Sequence, residues 1–269
     1  MDQQVTPSIP RLDDTQTAAY LARLGVARGS VTVDLSGLSD LHERHLRTIP
    51  FENLSIHLGE PIVLDVARLV DKLTVGGRGG FCYELNGAFA SLLTTLGFDV
   101  VMYEARVGPD GGSMPFDHLC LRVGTGATEH LADVGFGASF LRPLDLGTTA
   151  PQTDPAGTYR IVAAGDGAFD MLEDGEPQFR FVAVPRALSD FADACHHHQT
   201  SPESHFTQQT VCSLATATGR LTISGRTLIT TEDGRRTERV VDSDDELLDL
   251  YRRHFDIKLD RLPRRTATA

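Results

Sequence analysis

The sequence predicts an α+β chain in three parts: a helical bundle over residues 1–97, a β-barrel or β-sheet over 98–194 and a small α/β lid over 195–269. Three observations carry this. Apolar residues recur at three- and four-residue steps up to Leu96, and alternating β-branched and aromatic runs begin at Phe98. A break near residues 185–193 is followed by glycine-turned strands and one last capped helix. At 269 residues the chain is long for one ordinary domain and short for three full-sized ones, which suits subdomains around a shared interior.

The first predicted helix spans 15–24, with Ala18, Leu21 and Leu24 on one face. Ser39-Asp40 is read as the cap of a second, LHERHLRTI, which stops before Pro50 because a pre-proline residue resists the α region. A short helical segment ends near Thr74. Cys82 opens the next helix, whose apolar face runs through Leu85, Phe89, Leu92, Leu93 and Leu96, and Gly97 stands where a helix C-terminus is expected.

The middle third contains FDVVMYEARV, HLCLRV, EHLADVGF, YRIVAAG, FDMLE and FRFVAV, separated by turns bearing Gly, Asp and Pro. The stretch LATATGRLTISGRTLITTEDGRRTERVV reads as antiparallel strands, and residues 242–255 as a capped helix.

Net charge is −12 and the sequence pI about 5.2, which argues against nucleic acid or an anionic membrane as the main partner. No apolar run approaches the ~20 residues that span a bilayer. The stretch MDQQVTPSIPRLDD lacks the basic and apolar regions of a secretory leader, and four cysteines make no dense disulfide framework, so a reducing cytoplasm is the expected location.

The chemistry is expected at RGGFCYELNG, residues 78–87. Gly79-Gly80 allows a close approach, and Cys82 falls in the first turn of a helix, where free N–H groups and the positive dipole end stabilise an anion. Such a setting lowers a thiol pKa. Locally, a small buried hydrophobe fits Cys82 equally well. His118 and Asp133 lie on two adjacent apolar strands joined by GTGATE. If the strands pair with Asp133 opposite Cys120, His118 and Asp133 share a face; a one-residue slip would separate them. Cys82, His118 and Asp133 would then supply a nucleophile, a base and an orienting carboxylate.

IPFENL, RGGFCYELN, the histidine of DHLCLRV, and DVGFG occur in the order and spacing of the arylamine N-acetyltransferases, which this sequence resembles over most of residues 12–210. YLARLGV, LHERHLRTIPFENLSIHLG and HQTSPESHF extend the resemblance. It implies a helical bundle, a β-barrel and an α/β lid, the first two arranged as in papain-like thiol enzymes. It places the nucleophile on Cys82, the base on His118 and the orienter on Asp133. Phe51, Phe136 and Phe206 are implied to line an acceptor pocket, with Phe116 and Gly137 near the coenzyme A arm. The implied reaction is ping-pong. Acetyl-CoA acetylates Cys82, and an arylamine, arylhydrazine or arylhydroxylamine takes the acetyl group. No metal is implied.

Other motifs fit less well. GGRGGF breaks the dinucleotide pattern at Cys82, where the third glycine belongs. CHHHQTSPESH invites zinc, but consecutive residues cannot all face one ion, and no second ligand pair follows. Cys120 and Cys212 read as core thiols, His42 and His45 as covering a helix face, and Arg78 as an ion pair bracing the loop. A macrolactam-forming amide synthase with a carrier-bound donor could use the same three residues. So could a thiol hydrolase, though the motif C-G-S-C-W is absent around Cys82. A binding module would not need all three.

Overall fold

The computed structural model describes residues 6–264; the start of the stretch read for a leader and the end of the expected lid lie outside the described residues. Helix α1 (Asp14–Arg23) is capped by Asp13, whose carboxylate accepts from Gln16 N at 2.8 Å. Helix α2 (Leu35–Thr48) begins one turn before the expected Ser39-Asp40 cap. Asp34 caps it instead, accepting from Gly37 N at 2.9 Å, and the extra turn buries Leu38. Asp40 lies inside the helix and pairs with Arg44 at 2.7 Å. Strand β1 (Phe51–Glu52), α3 (Leu54–Leu58) and α4 (Val66–Thr74) lead to α5 (Cys82–Leu96), which is buried from Cys82 through Leu93 and stops at left-handed Gly97.

Strands β2 (Asp99–Val107), β3 (His118–Gly124), β4 (Glu129–Ala132), β5 (Leu144–Asp145), β6 (Gln152–Asp154), β7 (Gly157–Gly165), β8 (Ala168–Glu173) and β9 (Glu176–Arg186) form an antiparallel sheet in the order β5-β4-β3-β2-β9-β8-β7-β6. Its two edges are tied by the Gln152 amide, which accepts from Asp145 N at 2.7 Å and donates to Asp145 O at 3.0 Å. The sheet is therefore a nearly closed barrel. Phe179, Phe181, Phe140, Tyr159 and Met171 fill one of its cores.

A 3₁₀ turn (Leu188–Phe191), α6 (Ala192–Thr200) and α7 (His205–Gln208) follow the barrel. Strands β10 (Val211–Ala215), β11 (Gly219–Ser224), β12 (Thr227–Glu232) and β13 (Arg235–Val240) then make a second antiparallel sheet with β1 at its edge, order β1-β10-β11-β12-β13. Helix α8 (Asp244–Phe255) buries Leu247, Leu250, Tyr251 and Phe255 beneath it. The mixed α/β chain is thus a helical part, a barrel-like sheet and an α/β region. Their interiors are joined, because Ala194 and Cys195 of α6 pack into the same core as α1, α2, α4 and α5. No helix of the described residues is long and apolar enough to cross a membrane.

Candidate active site

The segment before α5 is pinned against β1. Gly80 bridges Phe51 in parallel, Glu52 N donates to Gly80 O at 2.8 Å, and Gly80 N donates to Pro50 O at 3.3 Å. A Cβ on Gly79 would stand 1.9 Å from Pro50 O, so only glycine permits this approach. A largely buried charge network, open to solvent at Glu60, braces the turn from behind. Arg78 grips Glu52 through two contacts of 3.0 and 3.2 Å and reaches Glu60 at 3.2 Å, while Lys72 meets Glu84 at 2.6 Å. Glu84 in turn accepts from Phe81 N at 3.2 Å, one residue before the cysteine. Cys82 is held rigidly at the helix start with 4% of its surface exposed.

On the barrel side, β3 and β4 pair with Leu121 opposite Ala132, a register that continues to Cys120 opposite Asp133. His118 and Asp133 therefore share a face, and His118 Nε2 lies 2.6 Å from Asp133 Oδ2. The other Asp133 oxygen, Oδ1, accepts from Asn86 Nδ2 and from Gly135 N, both at 2.8 Å. Burial pushes the Asp133 carboxyl up, but the His118 charge and these hydrogen bonds outweigh it and hold the group below the usual carboxylate range. Position 135 must be glycine, since a Cβ there would lie 2.7 Å from both Asn86 Nδ2 and Cys82 Cα.

Two supporting residues complete the site: Asn86, to which the sequence reading gives no role, and His42, which it reads only as covering a helix face. Asn86, one turn after Cys82, also donates to Leu119 O at 2.6 Å and accepts from Val134 N at 2.9 Å, so it rivets α5 to both strands. Its sequence signal was the i, i+4 spacing from Cys82. His42 accepts from Asp133 N at 3.0 Å and donates from Nδ1 to Leu141 O at 2.9 Å. Burial lowers its affinity for protons, which keeps it in the neutral form this arrangement requires. His42 and His45 do cover a buried helix face, and His45 meets Tyr20 Oη at 2.9 Å.

A cavity of about 740 Å³ brings Cys82 and His118 together with Phe51, Phe136 and Phe206. Phe136 packs edge-on against His118, ring centres 5.2 Å apart, and Phe206 meets Phe51 at 6.1 Å and Phe81 at 5.6 Å. Asp133 stands behind His118, buried to 1%. Phe116 and Gly137 do not line this cavity. Phe116 adopts a left-handed backbone, its carbonyl accepts from Tyr83 Oη at 2.8 Å, and its ring lies beneath Arg186. Gly137, also left-handed, sits against the Phe51 ring. A second cleft of about 960 Å³ beside α3 and α8 holds none of the expected site residues.

The thiol corrects one expectation. Burial, followed by the charges of Asp117 and Asp133, pushes Cys82 well above the usual thiol range. The helix terminus alone does not overcome that desolvation. In this setting a thiolate needs a proton acceptor close by in the cavity.

A family model described as N-acetyltransferase matches residues 34–263. A pineal-gland arylamine N-acetyltransferase of Gallus gallus is 30% identical over 272 residues, covering 90% of this chain and 94% of its own. The arylamine N-acetyltransferase structure from M. smegmatis superposes with a TM-score of 0.84 at 31% identity, covering 92% of this chain and 93% of that one. That of Mycobacterium marinum in complex with CoA superposes with a TM-score of 0.81 at 28% identity, covering 90% and 92%. This chain is an acyltransferase that belongs to the arylamine N-acetyltransferase family.

Proposed function

We propose that the protein moves an acetyl group from acetyl-CoA to the nitrogen of an arylamine, arylhydrazine or arylhydroxylamine through an acetyl-Cys82 intermediate, in the cytoplasm and without a metal. The observation that carries this reading is the cavity shared by Cys82 and His118, with His118 Nε2 held 2.6 Å from Asp133. Cys82 Sγ gives its proton to His118 and attacks the thioester carbon; the carbon–sulfur bond to CoA breaks, and CoA leaves with a proton. Asp133 fixes the His118 ring and stabilises the imidazolium, as the orienting carboxylate does in serine-type triads. The amine nitrogen then attacks the acetyl carbon, its proton passes to His118, and Cys82 is released. Backbone N–H groups at the start of α5 serve the oxyanion.

The chain has no tryptophan, so an aromatic acceptor stacks on Phe51, Phe136 or Phe206, all in the cavity wall. The cavity suits a thioester arm, and the M. marinum relative's complex with CoA supports coenzyme A as donor. Phe116 and Gly137, which lie outside the cavity lining, belong to the proposal only as residues the family resemblance implies near the coenzyme A arm. The domain boundaries at 97 and 194 belong to the same proposal, with the nucleophile on the helical part and His118 and Asp133 on the barrel. Incubating the pure protein with acetyl-CoA and mapping the modified peptide tests it. Acetyl on Cys82 that an arylamine discharges supports it, and acetyl found elsewhere or nowhere refutes it.

A further inference from the structure

A second carboxylate–imidazole pair faces the same cavity. His198 Nε2 lies 3.0 Å from Asp117 Oδ1, and His198 Nδ1 lies 3.0 Å from Ser204 Oγ. Both Asp117 and His198 line the cavity with Cys82, their side chains 13% and 9% exposed. The contact is electrostatic rather than a straight hydrogen bond, for Nε2 is buried without a well-aimed partner.

Asp117 is tied closely to the nucleophile. It immediately precedes His118, and its carbonyl accepts from Cys82 Sγ at 4.0 Å and from Tyr83 Oη at 3.0 Å. Its carboxylate, after burial, is the strongest influence opposing a Cys82 thiolate. A negative charge there works against the anion that the reaction needs; His198 faces it, and the Ser113 side chain hydrogen-bonds to it as well. On its other side, His198 holds Ser204, whose Oγ accepts from Phe206 N at 3.2 Å, and its ring packs edge-on against the Phe206 ring at 5.2 Å.

We infer that His198 is a positioning residue of the site, which offsets the Asp117 carboxylate beside Cys82 and ties that offset to the Phe206 wall through Ser204. The inference rests on Cys82 being the nucleophile. An Nε2–H 3.0 Å from Oδ1, even off the straight line, reduces the field of Asp117 at the thiol without removing the carboxylate. The titratable groups around this pair are Asp117 just before β3 and His118 at its start, Cys82 and Tyr83 on α5, Asp133 after β4, Cys195 and His197 on α6, and Glu203 before α7 and His205 at its start.

The test is the pH dependence of Cys82 alkylation by iodoacetamide. Peptide mapping separates Cys82 from Cys120, Cys195 and Cys212. Asp117→Asn removes a like charge and should move the midpoint of the profile to lower pH by about 1 unit. His198→Leu leaves the carboxylate without its offset and should move it to higher pH. His198→Gln, which still presents an N–H to Asp117, should fall between wild type and Leu. A merely structural role would not shift the two profiles in opposite directions. An unshifted Asp117→Asn profile, or shifts of the same sign, overturns the inference. Should the Leu variant not fold, Asp117→Asn against His198→Gln gives the same comparison. Acetyl-CoA takes no part in this assay, so its result stands apart from the acetyl-transfer test.

Discussion

Asn86 Nδ2 donates to Asp133 Oδ1 at 2.8 Å, so the helix that begins with Cys82 directly grips the carboxylate that orients His118. The two halves of the site, one on α5 and one on the barrel, are joined by a buried side chain rather than by packing alone. Asn86→Ala would strip partners from Leu119 O, Val134 N and Asp133 Oδ1 together. Oδ1 would keep Gly135 N, but Val134 N would lose the Asn86 acceptor, and we expect a stability loss of about 2 kcal/mol in urea unfolding, since a buried polar group left unpaired costs about 1–3 kcal/mol. A fall in acetyl transfer of roughly 10-fold or more should accompany it. Wild-type stability in this variant would show that the rivet is redundant.

Cys82→Ser should abolish acetyl transfer, by about 10³-fold or more, while leaving the unfolding midpoint nearly unchanged. The hydroxyl occupies almost the same space but is much harder to ionise in a buried site whose carboxylates already push the thiol up. Turnover near wild type would remove Cys82 from the chemistry.

Asp133→Asn should cost roughly 10³–10⁴-fold in kcat. Oδ1 already accepts from Asn86 and Gly135 N, so the new amide nitrogen must occupy the Oδ2 position and present a donor to His118 Nε2. That forces the wrong imidazole tautomer. Full activity would reduce Asp133 to a structural carboxylate.

Phe136 and Phe206 both line the cavity but touch different things. Phe136 packs on His118, whereas Phe206 packs on Phe51, Phe81 and His198. Phe136→Ala should therefore slow acetylation of Cys82 as well as its discharge. Phe206→Ala should chiefly weaken aromatic acceptors, by on the order of 0.5–1.5 kcal/mol beyond lost apolar burial. Single-turnover acetylation measured beside acceptor-dependent discharge separates the two. Identical patterns in both variants would reject the distinction.

Acid should destabilise the fold through its buried histidines. Burial, aided by the charge of His42, lowers His45 to about 3, and burial lowers His42 as well. The unfolded chain binds these protons near pH 6.5, before the folded one does. Their contribution is thus complete above about pH 6.5 and is lost as pH falls toward the folded values, whereas Asp133 matters only below about pH 4. Urea midpoints should drop between pH 6.5 and 4.5, and His45→Gln should flatten that slope. A flat wild-type profile across this window would contradict the assignment.

By itself the sequence determined what short-range rules decide. Leucine spacing and a glycine stop define α5 with Cys82 in its first turn. The alternation of HLCLRV and EHLADVGF marks the hairpin on which His118 and Asp133 meet. These follow from local backbone preferences and from which face of an element must be dry. Tertiary structure alone selected the register, because a six-residue connection permits a slip. It moved the α2 cap to Asp34, because burying Leu38 favoured another turn. It made strands of residues as few as Leu144–Asp145, because a barrel edge supplied their partners. It also set the thiol's direction: a helix dipole is written in the chain, but the desolvation that outweighs it exists only once α5 is enclosed by the barrel and α6.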